Sequence, residues 1–204
     1  MGVLAKAEVK VDEAKMSFYR IFSKIYHQAA KKMCLDCASF IKKGCKILDL
    51  GCGAGLVGEA FQDFFRAEVI GVDIKDVNVS SIPFERFDGQ HLSFPEDSFD
   101  VVLINYVLHH AESPRVLLIE AKRVARDKII IYEDLLEGFL SKLFCKIHGF
   151  SFDNFFGNPY QTTFKSEKEW LDIFKETGLS VIFKKRISNF PVKKELFVLE
   201  VLGT

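Results

Sequence analysis

The chain has 204 residues, of which 49% are hydrophobic, and its 28 lysines and arginines are balanced by 28 aspartates and glutamates. That length and apolar content allow burial of roughly 70% of the unfolded chain's surface, which excludes disorder for most of the sequence and makes a disulfide or metal staple unnecessary. A formal charge of zero removes the general attraction to nucleic acid or an anionic membrane and leaves room only for a local basic patch, and an odd count of five cysteines argues against a disulfide framework.

The opening stretch, MGVLAKAEVKVDEAK, has neither the apolar core nor the cleavage site of a secretory signal, and no run of about 18 apolar residues follows. The expected setting is therefore the cytoplasm. From Phe18, apolar residues recur at helical spacing (Ile21, Phe22, Ile25, Ala29, Met33, Cys37, Phe40, Ile41), which predicts one or two amphipathic helices, with a frayed start before about Asp12. After Gly44 the pattern changes to short apolar runs alternating with helical stretches, the mark of a parallel sheet built from β-α-β units. Strands are expected at 46–50, 68–72, 84–87, 99–105 and 128–132, and helices at 55–65 and 114–125. Leu136, Phe139, Leu140, Leu143, Phe144 and Ile147 predict a further helix, followed by a Phe-rich stretch to about Thr163. A last helix over 167–177 precedes two strands, 180–187 and 194–202, whose short connection through Pro191 suggests an edge hairpin. The expected organisation is one domain over 1–204. It comprises an N-terminal helical cap (1–44), a core (45–134), a lid (135–165), and a final helix with the hairpin (166–204).

The most specific element is KILDLGCGAG, residues 46–55, a strand entering a glycine turn that opens a helix. Gly51, Gly53 and Gly55 let the backbone turn tightly and bring a ligand against amides at a helix N-terminus. Asp49 stands two residues before the first glycine, Cys52 supplies the small side chain that the turn needs, and VIGVDI ends a second strand in Asp73. A carboxylate there is placed to accept hydrogen bonds from both hydroxyls of a ribose. The third glycine comes one residue early for the dinucleotide fingerprint, which disfavours a nicotinamide or flavin.

With these residues the chain resembles the class I S-adenosylmethionine-dependent methyltransferases, in particular the small-molecule branch that includes ubiquinone and menaquinone methyltransferases. The resemblance covers roughly residues 45–135 and rests on Asp49 to Gly55, Asp73, the FDGQ segment with Asp88 and Gly89, and LSFPEDSFDVVLINYVLHHAESP. It implies a doubly wound α/β fold, with helices on both faces of a seven-stranded, mostly parallel sheet in the order 3-2-1-4-5-7-6 and the last strand antiparallel. It also implies S-adenosyl-L-methionine as cofactor. Gly51 and Gly53 would pass the methionine moiety, Asp73 would hold the ribose, Ile74 would cover the adenine, Asp88 would accept from the adenine amino group, and Asn105 would lie beside the methionine end. RVARDKIII replaces the family's usual turn before the fifth strand, and residues 135–165 match no substrate signature.

His109 and His110 follow the fourth strand, and Glu133 and Asp134 close the fifth, where open α/β sheets place their ligand crevice. His110 and Asp134 are the candidate general bases for an acceptor that must lose a proton. Packing and solvation are the plainer roles for the same residues. Asp153 and Asn154 would point into the site or make local turn hydrogen bonds. Cys34 and Cys37 form a C-x-x-C on a helix with no second pair, so no metal is expected and buried free thiols are the better reading. The Phe-rich lid suits an apolar or aromatic small-molecule acceptor, or simply packs the cap, or rests peripherally on a membrane. A competing function is a methyltransferase-like binding or scaffold protein without catalysis.

Overall fold

A computed structural model describes residues 2–155 and 162–201, with the side chains of 2–12, 14, 15 and 148–155 outside the description. The chain's contacts gather into two compact units, Met1–Arg86 and Phe87–Thr204.

In the first unit, α1 runs from Gly2 to Cys37 as one helix, with no frayed segment before Asp12. Its covered stripe differs from the expected one. Ala30, Cys34 and Cys37 are buried and Met16, Tyr19, Ser23 and His27 are half-buried, while Phe18, Ile21, Phe22 and Ile25 are exposed. Small residues at 30, 34 and 37 allow close packing on α2 (Leu56–Phe65), where the Cys34 thiol donates to the Ala60 carbonyl at 3.6 Å. β1 (Lys46–Leu50), β2 (Glu68–Asp73) and β3 (Phe84–Arg86) pair in parallel, with Lys46 opposite Glu68 and Gly71 opposite Phe84. Ile47, Leu48, Leu50, Phe61, Val69 and Val72 are buried.

In the second unit, β4 (Phe99–Asn105) runs into a single 3-10 turn (Leu108–His110), then α3 (Pro114–Val124) and β5 (Ala125–Leu135). Ser113 caps α3 by accepting the Val116 N–H, and Pro114 at the first helical position needs no amide partner. α4 (Phe139–Phe155) follows, and α5 (Glu167–Glu176) starts in a reciprocal capping box between Ser166 and Glu169. β6 (Ser180–Ser188) and β7 (Lys193–Glu200) form the expected antiparallel hairpin. β7 also pairs antiparallel with β5, placing Asp134 opposite Lys194. β5 begins three residues earlier than its apolar run, because Ala125 already pairs with Phe99 across a register shift. Ile129 to Tyr132 and Leu196 to Leu199 are buried, as the near-continuous apolar runs of central strands require.

The strands take the spatial order β3-β2-β1-β4-β5-β7-β6 in one seven-stranded, mostly parallel sheet, with β7 antiparallel to both of its neighbours. Among the described residues no helix is long and apolar enough to cross a membrane.

Candidate active site

The first unit builds its part of the site at the carboxyl ends of β1 and β2. The chain leaves β1 at Gly51, whose amide, like that of Cys52, donates to the Val72 carbonyl, at 2.8 and 3.0 Å. Gly53 takes φ +50°, and a Cβ built there would meet nothing within 4 Å, so the backbone faces open space. A side chain on Gly53 would be strained and would occupy the space that a ligand needs to reach the amides. Asp73 locks this loop. Its Oδ2 accepts the Gly53 N–H at 2.9 Å and its Oδ1 accepts the Lys75 N–H at 3.1 Å. The two carboxylate oxygens offer about four acceptor positions, so with the Gly53, Lys75 and Ile74 amides in place the group still has capacity for a hydroxyl. Burial raises the Asp73 pKa, opposed by the Gly53 and Lys75 amides.

Asp49 lies beneath the turn, 1% exposed, and burial pushes its carboxyl up to about 7, opposed chiefly by the Gly58 amide. That approach requires glycine at 58, since a Cβ there would stand 2.7 Å from Asp49 Oδ2. The Cys52 thiol is driven upward by burial and by the Asp49 and Asp73 carboxyls, so it remains a neutral thiol. The structure thus brings together Asp49, Gly51, Cys52, Gly53 and Asp73, with Ile74 following directly on β2. Tyr19 is an addition that the sequence did not signal. Its phenol, pushed up to about 12 by burial, Tyr26 and Asp73, sits within electrostatic reach of Asp73 from α1. The helical periodicity around it points to the neighbouring stripe, which hides it.

The second unit contributes other groups. Asp88 is exposed, and its Oδ1 accepts the amides of Gln90 and His91, both at 2.7 Å, while the His91 ring approaches Oδ2 at 3.1 Å. These bonds, the His91 amide foremost, hold the carboxyl down to about 2. Gly89 takes φ +89° in this turn. At the end of β4, the amide oxygen and nitrogen of Asn105 are both buried without a hydrogen-bond partner among the described residues. Unpaired buried amide atoms are costly, and such a group in a site fits a ligand that satisfies it.

The two histidines have different settings. His109 is fully buried, with Nδ1 2.5 Å from Glu133 Oε2 and its ring 4.6 Å from the stacked ring of Phe164. Glu133 accepts the Leu108 N–H through Oε1 at 2.9 Å, and burial pushes its carboxyl up to about 8. The Thr163 amide donates to the His109 carbonyl at 2.7 Å, which fixes the segment after the undescribed residues to the 3-10 turn. His110 is half-buried, and its Nδ1 is 2.8 Å from Thr162 Oγ1. Asp134 points elsewhere, toward Lys194 Nζ at 3.3 Å, and that ammonium lies 4.4 Å from the centre of the Tyr106 ring. Tyr106 itself has φ +58°, a left-handed conformation uncommon for a bulky residue, held by its amide's 2.8 Å bond to the Tyr132 carbonyl. Strand alternation separates the adjacent carboxylates, giving Glu133 to His109 and Asp134 to Lys194. The side chains of Asp153 and Asn154 lie outside the described residues.

None of the five cysteines forms a disulfide, and Cys34 and Cys37 are buried. Burial raises the Cys34 thiol to about 12. Among the described residues no cluster of three or more metal-ligating side chains forms.

Comparison with known proteins bears on these two sets of groups. A methyltransferase domain family matches residues 48–132. The uncharacterized protein MJ1123 of Methanocaldococcus jannaschii is 33% identical over 137 residues, covering 66% of this chain and 64% of its own length. A ubiquinone biosynthesis O-methyltransferase of Roseobacter denitrificans is 30% identical over 95 residues, 41% of this chain and 38% of that protein. Among solved structures, the PH0226 protein of Pyrococcus horikoshii superposes with a TM-score of 0.71 at 21% identity, over 90% of this chain and 98% of that one. The chain spans between about a third and just under two thirds of the length of the curated relatives it matches first. Matched to the methyltransferase domain family over the glycine turn and all or part of β1 to β5, and to solved structures by fold over most of its length, the chain contains a methyltransferase domain.

Proposed function

We propose that this protein transfers a methyl group from S-adenosyl-L-methionine to a small apolar or aromatic acceptor. The observation that carries the reading is the Gly53–Asp73 cradle, where a left-handed glycine facing open space donates its amide to a carboxylate that can still accept from hydroxyls. The donor fits the residues present. Asp73 would take the ribose hydroxyls, Gly51 and Gly53 would admit the methionine moiety against the backbone, and Ile74 would cover the adenine. The unpaired Asn105 amide would meet the polar methionine end, while Asp88 and Gly89 would receive the adenine edge. When bound, the sulfonium supplies an already activated methyl group.

The chain's own work is then alignment and exclusion of water, which accounts for most of the rate when a reactive group is already in hand. The lid over 135–165 would select an apolar acceptor. An acceptor hydroxyl or ammonium must also lose a proton. Of the two candidate bases, His110 is better suited, because Thr162 orients its ring through Nδ1 and a proton would be taken at Nε2. Asp134 is engaged by Lys194 and would act on the electrostatics of Tyr106 rather than as the base. Lipophilic acceptors are favoured by the ubiquinone relative as well as by the phenylalanine-rich composition of 139–164.

The test is transfer of radiolabelled methyl from S-adenosylmethionine into products extracted from a panel of phenols, quinols and aromatic amines. Label in the organic phase that disappears in His110→Ala supports the reading. Full donor binding with no transfer to any acceptor favours the scaffold alternative.

A further inference from the structure

The stripe that sequence periodicity assigns to the core is covered at Cys37 and Ile41 but uncovered at its N-terminal end on α1. Phe18, Ile21, Phe22 and Ile25 stand at i, i+3, i+4 and i+7 and so share one face of the helix. Ile21 is 73% and Ile25 63% exposed. The stripe is apolar and aromatic over two turns, the kind of patch that soluble surfaces rarely display without use.

Its surroundings carry one sign of charge. Between Met16 and Leu35 the sequence has Arg20, Lys24, Lys31 and Lys32 and no aspartate or glutamate, in a chain whose charges balance overall. All four cations are exposed, and none forms an ion pair among the described residues. Arg20, Lys24 and Lys31 lie at i, i+4 and i+11, a second row alongside the apolar one. Between that row and the covered face runs a groove of about 410 Å³ lined by Ser23, Lys24, His27, Gln28 and Lys31. On this side Glu59 meets His27 Nε2 at 3.1 Å and is otherwise held by the Ser81 amide and hydroxyl. Among the described residues, Glu59 pairs with His27 and with neither lysine of the groove.

We infer that this face of α1 docks on an anionic lipid surface, with Phe18, Ile21, Phe22 and Ile25 entering the acyl boundary and Lys24 and Lys31 taking headgroup phosphates. An amphipathic helix with an apolar stripe beside a basic one has the composition that interfacial helices use, and each lysine near such a surface adds to binding. The lid helix α4 shows the same chemistry independently. Phe139, Leu140, Leu143, Phe144 and Ile147 are exposed beside Lys142 and Lys146, with no acidic residue among positions 139–147. Charge complementarity selects the occupant: an acidic lipid surface satisfies both rows at once. The inference stands apart from the methyl-transfer reading, and its test does not use the cofactor.

The test is co-sedimentation of the whole protein with vesicles of phosphatidylcholine alone and of equal parts phosphatidylcholine and phosphatidylglycerol. Binding is expected only with phosphatidylglycerol present. Lys24→Glu with Lys31→Glu, and separately Ile21→Ser with Ile25→Ser, should each weaken it at least about tenfold while leaving the melting temperature within a few degrees. Four outcomes would overturn the inference. Binding could be equal on neutral vesicles, or unchanged in both variant pairs. Soluble glycerol phosphate could displace the protein, which would assign the groove to a free phosphate. Light scattering could detect a lipid-free dimer that the Ile21→Ser, Ile25→Ser pair dissociates, which would assign the stripe to a second copy.

Discussion

The carboxyl ends of β1 and β2 are built from backbone, whereas those of β4 and β5 are built from side chains. In the first region one contiguous turn, Gly51 to Gly55, presents its amides, and Asp73 pins it by a single bond to Gly53. In the second, Glu133 holds His109 and the Leu108 amide, Thr162 holds His110, and Lys194 holds Asp134, pairings that span 24 to 60 positions in sequence. A site made of backbone tolerates few residue types at a few positions. A site made of paired side chains can be redistributed whenever the partners change, which suits donor binding in the first region and acceptor handling in the second.

This contrast can be broken most forcefully at His109. His109→Ala leaves Glu133 buried without its partner and should destabilise the protein by about 3 kcal/mol in chemical denaturation. Glu133→Gln, which can still accept the Leu108 amide, should cost less. If both are neutral, the pair does not organise the second region. The next effect belongs to the first region. Asp73→Ala removes a carboxylate that binds Gly53 and is available to the ribose, and should weaken S-adenosylmethionine by about 1.5 to 3 kcal/mol in calorimetry. Unchanged affinity would mean that the ribose lies elsewhere.

A pH series sharpens the comparison further. The carboxyls of Asp49 and Glu133 are raised by burial, to about 7 and about 8. Folding therefore favours their protonated forms, with that stabilisation complete below the ordinary carboxylate pKa and lost as pH rises through 7 and 8. Asp49→Asn should accordingly flatten the fall in melting temperature between about pH 4 and 7 by a few degrees while changing little near pH 4. An unaltered slope would place the titration outside the first region. The smallest effect is expected at the exposed pair of Arg115 and Glu176, 2.5 Å apart, where Arg115→Ala should cost under about 1 kcal/mol.

How much of this was legible in the sequence follows the same division. The strand at 46–50, the glycine turn and Asp73 are contiguous or separated by one helix, so local pattern located them, and the sheet order agrees with the one that the family resemblance implies. The second region was read only in part. Glu133 and Asp134 could be seen to end a strand, but which of them meets a histidine depends on pleat alternation and on how β7 registers against β5. His110 drew attention over His109, although the latter has the tighter partner, because nothing local distinguishes two adjacent histidines. On α1, apolar periodicity selected Phe18, Ile21, Phe22 and Ile25 as the covered stripe. Burial instead follows the small residues Ala30 and Cys34 toward Cys37, which the periodicity did select, and carries Tyr19 toward Asp73 along the same face.

The central claim is that the Gly53–Asp73 cradle holds an adenosyl donor, and isothermal titration tests it without knowledge of the acceptor. S-adenosylmethionine and S-adenosylhomocysteine should bind with micromolar affinity while NADH gives no heat. Folded protein that binds neither adenosyl ligand, or that prefers NADH, would contradict the claim.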